Sequence, residues 1–380
     1  MQIKEITAKK ILDSRNEPTI EVSINNQKAS SPSGKSKGKA ETPSYRKSLN
    51  QSINEINNLN LSNIVINRFE DLSLIEKAIK KQFKLKDAKQ FGANALVSLE
   101  IAILKALAKE KKIQLWQIIN SNSKSLPIPV GNAVGGGVHS HNLKHPTFQE
   151  FLLIPKQKSI KSNVQLMNKI YNQLKTKLKA VSKNDEGAWQ TSLHDGQILQ
   201  ILSQFQKEIK IGIDIAASSF YKDKLYNYNS FKLNKEKQIN YINSLIKKHN
   251  LLYIEDPLQE EDFKSVSKIF HSSNNLVVGD DLTATQIPRL NKAVKLNSIN
   301  AMIIKPNQNG SLLELQEIFK ICKKKNIKTI LSHRSGETLD DALADLAVGF
   351  QADFIKCGIS TKWREIKLKR LIEIEKQIKS

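Results

Sequence analysis

Apolar and polar residues alternate from the start of the chain. QIKEITAKKILDS (residues 2–14) and PTIEVSINN (18–26) carry the two-residue period of a half-buried strand, and SRNEP lies between them as a turn. This pattern predicts a hairpin. A polar Gly- and Ser-rich stretch follows, ASSPSGKSKGKAETPS (29–44), and then the period lengthens to that of helices over roughly 46–120, most clearly in GANALVSLEIAILKALAKEKK (92–112). SNSKSLPIPVGN (121–132) reads as a polar linker, two prolines and a new strand. It divides an N-terminal region, 1–125, from a C-terminal one, 126–380.

Beyond that boundary a rhythm sets in. IKIGID, LLYIED, LVVGDD, AMIIKP, TILSHRS and ADFIKC are short apolar runs that each end on a charged or polar residue. Helix-period segments separate most of them: Ile239, Ile242, Leu245 and Ile246 share one face, as do Leu312, Leu315, Ile318, Phe319 and Cys322. Strands alternating with helices predict a parallel sheet, and this many units suit a closed β/α barrel of the TIM type better than an open sheet. The expected fold is therefore α/β, a C-terminal barrel preceded by a smaller α+β domain.

Composition narrows the picture a little. The chain has 380 residues, two cysteines (Cys322 and Cys357) in no metal-ligand spacing, and no apolar run long enough to span a bilayer. The N-terminal MQIKEITAKK lacks the apolar core of a signal peptide, so a cytoplasmic location is expected. The net charge of +23 raises nucleic-acid binding. Lys supplies nearly all of it and is spread along the chain, with seven Arg, so a solvated surface is favoured over a polyanion-binding face.

Candidate chemistry gathers where the barrel strands end. In this fold the C-terminal strand ends converge on one mouth. Asp214, Glu255, Asp280, Lys305, His333 and Lys356 are each the first charged or imidazole residue after their apolar run. Singly, each acid reads as a helix cap or surface group. Together at successive strand ends, three carboxylates stay ionised only around a cation, and an all-oxygen set selects Mg²⁺ over Zn²⁺. Lys305 reads equally as an ion-pair partner of those acids or as a base, with a pKa lowered by a divalent cation and a second lysine. For Lys356, substrate anchoring is favoured. Arg334 beside Ser335 suits a phosphate or carboxylate. Asp185 and Glu186 sit in a Gly-flanked turn, and His139, His141 and His145 in what reads as a mobile loop without the HExxH spacing of a zinc helix. SGKS at 33–36 is no P-loop, because Ala29 stands where the first glycine would be.

These segments resemble one family, the enolases. ILDSRNEPTIEV, SPSGKSKG, FGANALVSL, LPIPVGNAVGGGVH, QEFLLIP, NDEG, IGIDIAAS, YIEDP, GDDLTATQ, KPNQNG and SHRSGETLDDALADLAVG occur in the family's order along nearly the whole chain. The resemblance implies a Mg²⁺-dependent lyase that interconverts 2-phosphoglycerate and phosphoenolpyruvate in glycolysis and gluconeogenesis. It implies that Asp214, Glu255 and Asp280 bind one Mg²⁺, and that Ser36 helps hold a second together with substrate. Lys305 is the implied base at C2, and Glu186 the general acid for the leaving hydroxyl, with Glu150 nearby. Lys356 would contact the substrate carboxylate, Arg334 and Ser335 its phosphate, while His139, Gln149 and His333 line the pocket. A homodimer or higher homo-oligomer is implied as well, with Arg15 as a subunit contact. The chain departs from the family at Gly135 (usually Asn), Ser219 (commonly an acid), Asn16 (usually Gly) and the 140–147 loop, and it is shorter than most members. A related acid dehydratase, or an idle paralogue that binds a partner or nucleic acid, are the alternative readings.

Overall fold

The alternation near the N-terminus closes into a small sheet. In the computed structural model, which describes residues 1–35, 38–269 and 275–379, Ile6–Leu12 pairs antiparallel with Pro18–Ile24 in a register running from Ile6 opposite Ile24 to Leu12 opposite Pro18. Asn16 takes the left-handed backbone of the intervening turn (φ 60°), which Asn tolerates. A third strand, Gln27–Ser30, was not expected. It pairs with Pro18–Ile24 around Asn25 and Asn26, both at positive φ. Ile20, Val22 and Ile24 are fully buried, and this sheet packs against the helix Ala93–Lys111. That helix is buried on almost every side, as an Ala- and Leu-rich sequence with little polar face requires. Shorter helices, Leu49–Asn57 and Leu72–Phe83, complete this part.

The C-terminal region forms a β/α barrel. Among the described residues, eight strands of a ten-stranded sheet close into a ring: Ile128–Gly135, Glu150–Pro155, Ile209–Asp214, Tyr253–Glu255, Leu276–Gly279, Ala301–Ile304, Lys328–Ser332 and Phe354–Lys356, the last pairing back onto the first. Side chains alternate as a two-residue period demands. Tyr253 faces the interior with Val130, Leu152, Ile303 and Ile330, whereas Ile254 belongs to the layer beneath the helices. The helices Lys235–His249 and Leu312–Lys324 bury the faces read from the sequence, and each starts at a side-chain cap, Asn234 and Ser311 respectively.

One strand departs from the all-parallel expectation. Glu150–Pro155 runs antiparallel to both neighbours. The link before it, 136–149, contains only the short turn Gly137–His139 and no crossover helix, so the chain returns in the opposite direction. The reversal has a functional consequence: the N-terminal end of this strand, with Gln149 and Glu150, lies at the same mouth as the C-terminal ends of the others. Register then aligns Glu150 with Asp214, and Asp214 with Glu255, on three adjacent strands.

No described helix is long and apolar enough to cross a membrane. Cys322 and Cys357 are both free and buried, and burial pushes each thiol up to about 12.

Candidate active site

The mouth of the barrel encloses a cavity of about 230 Å³, lined by His139, Gln149, Glu150, Glu186, Asp214, Asp280, Lys305, His333, Arg334, Ser335 and Lys356 among others. Most of the residues singled out from the sequence therefore share one space. Glu255 is fully buried just beneath it. Ser36 lies outside the described residues.

Lys356 holds the centre. Its Nζ stands 2.8 Å from Glu255 Oε2, 2.9 Å from Glu150 Oε2 and 3.5 Å from Asp214 Oδ2. Burial opposes its charge, but the carboxylates of Glu150, Glu255 and Asp214 outweigh that and hold the ammonium well above the usual lysine range. The acids respond in kind. Burial pushes Asp214 up to about 7, moderated by Lys356 and worsened by Glu150 and Asp280, and burial also raises Glu255 and Glu150. Two of these acids are tied in place: Tyr253 donates to Glu255 at 2.6 Å, Gln149 Nε2 to Asp214 at 3.3 Å, and the Ala216 N–H to Asp214 Oδ1 at 3.0 Å.

Asp280 belongs to a second arrangement. Lys305 Nζ lies 2.5 Å from its Oδ2, and Gln308 donates to Oδ1 at 3.4 Å. Burial would raise Asp280, yet Lys305 overrides it and the carboxyl sits below its usual range. Lys305 answers to the same pairing. Burial lowers its pKa, but Asp280 at contact distance raises it further, so the amine is held protonated. Asp256 plays a part that the sequence did not disclose. At a φ of 40° it turns from the strand end and accepts the N–H groups of Asp280 and Asp281 at 3.0 and 2.7 Å, fixing the next strand end.

Two groups of candidate metal ligands converge among the described residues, His139–Glu150–Glu186 and Asp256–Asp280–Asp281. Neither is the Asp214–Glu255–Asp280 trio read from the sequence. In this arrangement Lys356 and Lys305 occupy those carboxylates as counter-charges. The donor chemistry nonetheless fits a hard divalent ion, since buried carboxylates pushed toward protonation are short of positive charge.

The remaining groups come from loops. Glu186 accepts from Asn132 Nδ2 at 3.2 Å, and its Oε1 is 3.6 Å from His139 Nδ1. Burial pulls the His139 imidazole down to about 4, so the ring is neutral near pH 7. Burial, with Arg364 and Lys356 adding to it, likewise lowers His333 well below its usual value. Arg334 is clasped by Glu41, Nη2 standing 3.1 and 3.0 Å from the two carboxylate oxygens, and donates to Asn307 at 3.1 Å. Ser335 Oγ accepts the Lys35 N–H at 2.7 Å. Arg15 Nε lies 3.7 Å from Asp185 within the same chain. Glu41, Asp256 and Asn132 were missed from sequence. Their partners lie tens to hundreds of positions away, and only the spacing within the Gly-rich segment could have flagged Glu41.

Comparison with known proteins settles the kinship. Residues 3–119 match the family model "Enolase, N-terminal domain", and 123–380 match "Enolase, C-terminal TIM barrel domain". The chain belongs to the enolase family. Curated enolases of similar sequence include that of Natronomonas pharaonis (31% identical, 98% of each chain covered) and that of Archaeoglobus fulgidus (33%, 99% of this chain and 97% of the relative). The enolase of Ehrlichia canis is 32% identical over 99% of this chain and 96% of its own. Enolase membership accounts for the barrel.

Proposed function

We propose that the chain is a phosphopyruvate hydratase, a lyase that reversibly dehydrates 2-phosphoglycerate to phosphoenolpyruvate in glycolysis and gluconeogenesis. One observation carries this reading: an amine and a carboxylate face each other across a single cavity. Lys305 follows a strand lying four places round the ring from that of Glu150, and Glu186 joins Glu150 on that far side.

A proton next to a carboxylate is weakly acidic, because its removal places a second negative charge on the same small group. Lys305 takes that proton from C2. Asp280 is paired with that amine in this arrangement, and a Mg²⁺ held by Asp280 would compete for the same carboxylate. Glu186 protonates the departing C3 hydroxyl, which hydroxide's poor leaving ability requires. Acid and base come from different elements, as a reaction on two faces of one substrate demands. Lys356 receives the substrate carboxylate, and Arg334 with Ser335 the phosphate. Gln149, His139 and His333 shape the pocket, with Glu150 beside Glu186. Asp214, Glu255 and Asp280 would hold one Mg²⁺, and Ser36 would help hold a second with substrate. Bound there, the two ions would supply electrostatic stabilisation of the charge that develops on the carboxylate.

The same proposal assigns residues 1–125 to a capping domain and 126–380 to the catalytic barrel, in a cytoplasmic homodimer or higher homo-oligomer. The test is ultraviolet absorbance after 2-phosphoglycerate is added with and without Mg²⁺. A Mg²⁺-dependent rise, as the carbon–carbon double bond forms, is expected. No rise, together with salt-sensitive RNA binding, would overturn the proposal in favour of an idle paralogue.

A further inference from the structure

Gly135 ends the first barrel strand, in register with Glu150. Its φ is not positive, so backbone conformation does not require glycine there. Space does. A Cβ at this position would collide with Asn184 Nδ2 and lie 3.1 Å from Asn184 Cγ.

The amide that fills this space organises the turn bearing Glu186. Asn184 Oδ1 accepts the N–H of Glu186 at 3.1 Å and that of Ala188 at 2.9 Å. Its main chain closes the same turn, donating to Ala188 O and accepting from Gly187 N–H, both at 2.9 Å. Asn184 is 7% exposed, and among the described residues its Nδ2 is buried without a hydrogen-bond partner. Burying an unpaired NH₂ is unfavourable, so this side chain is explained by what its oxygen holds. Among the described residues the carboxylate of Glu186 itself accepts one hydrogen bond, from Asn132 at 3.2 Å. Its aim is therefore set mainly by the backbone that Asn184 clamps.

We infer that Asn184 is a positioning residue for Glu186, and that position 135 is glycine so that the Asn184 amide can enter the turn. This rests on the reading of Glu186 as the general acid. Turnover of 2-phosphoglycerate with Mg²⁺ is compared for the wild type, Asn184→Gly, Glu186→Gln and the double variant, with thermal melting reporting folding. Asn184→Gly is expected to lower kcat about 10- to 100-fold, the scale of a small displacement of a reacting group, with KM changed less than about twofold. In the Glu186→Gln background the same change should cost less than about twofold, because its effect passes through the missing carboxyl group. An equal loss in both backgrounds, a loss confined to KM, or no loss would overturn the inference while leaving the role of Glu186 intact. Wild-type turnover in Glu186→Gln would instead remove the catalytic reading, and the inference with it. Should Asn184→Gly fail to fold, Gly135→Ala, whose methyl group displaces the same amide, is judged by the same criteria. Failure of both to fold would mark the contact as structural only.

Discussion

Replacing Lys356 by methionine tests whether this lysine is the internal counter-charge of the barrel mouth. Its ammonium lies within 3.5 Å of the carboxylates of Glu255, Glu150 and Asp214, and all four side chains are at most 5% exposed. Methionine keeps most of the stem and removes the charge. Removing one partner of a buried ion pair costs about 3–5 kcal/mol, and here three carboxylates lose their cation at once. The penalty depends on pH. Without Lys356 the largest charge opposing burial is gone, so the folded-state pKa values of these acids, already about 7 for Asp214, rise further. The folded variant then binds protons more readily than the unfolded chain, and the penalty is largest above those pKa values and shrinks as pH falls. Urea midpoints in chelator should therefore show a loss of about 3–5 kcal/mol near pH 8, and a clearly smaller loss near pH 5.5. Excess Mg²⁺ should restore more stability to the variant than it adds to the wild type, because the freed carboxylates bind it without displacing an amine. A loss below about 1 kcal/mol, or one constant across that pH range, would refute the counter-charge role.

Three other outcomes are expected. Asp195→Asn should stabilise the protein at neutral pH: burial lifts the folded-state pKa to about 6 from 3.8, so ionisation becomes a cost as pH rises between those values and stays one above them. The ionisation cost removed should reach roughly 3 kcal/mol above pH 6 and vanish below about pH 4, as read from the change in urea midpoint with pH; Asn keeps the acceptor for the Phe148 N–H, 3.0 Å away, but loses one that Thr147 uses, which lowers the net gain at every pH. Glu41→Gln should tighten binding of inorganic phosphate about tenfold by removing the carboxylate that competes for Arg334, and calorimetry showing weaker binding would contradict this. Lys305→Ala should lower turnover at least about a thousandfold while Mg²⁺ binding survives, so near-normal turnover would eliminate Lys305 as the base.

The positions of the strand ends were legible because a buried run followed by a charge can be read locally. Asp214, Glu255, Asp280, Lys305, His333 and Lys356 could be gathered on that basis alone. Strand direction could not. The run EFLLIP looks the same whichever way it is threaded, and its reversal depends on the missing crossover helix. Nor could the sequence decide which charges meet. That Lys305 pairs with Asp280 is a matter of tertiary distance. Asp256 was legible as an acid but not as the brace of the neighbouring strand, because that task needs its unusual backbone angle. The third N-terminal strand had a local signal in Asn25-Asn26, a two-residue turn of the kind that joins hairpins.

The reversed second strand also shapes how this mouth can change over time. Because Glu150–Pro155 ends at the floor of the barrel, the chain leading to Ile209 must start and finish below, and it reaches the upper rim only through the excursion that carries Glu186. The proposed acid thus rides on a detour, while the proposed base is rooted directly at a ring strand. Mutation could remodel the detour without disturbing the hydrogen bonding of the ring, making one side of the chemistry exchangeable and the other almost immovable.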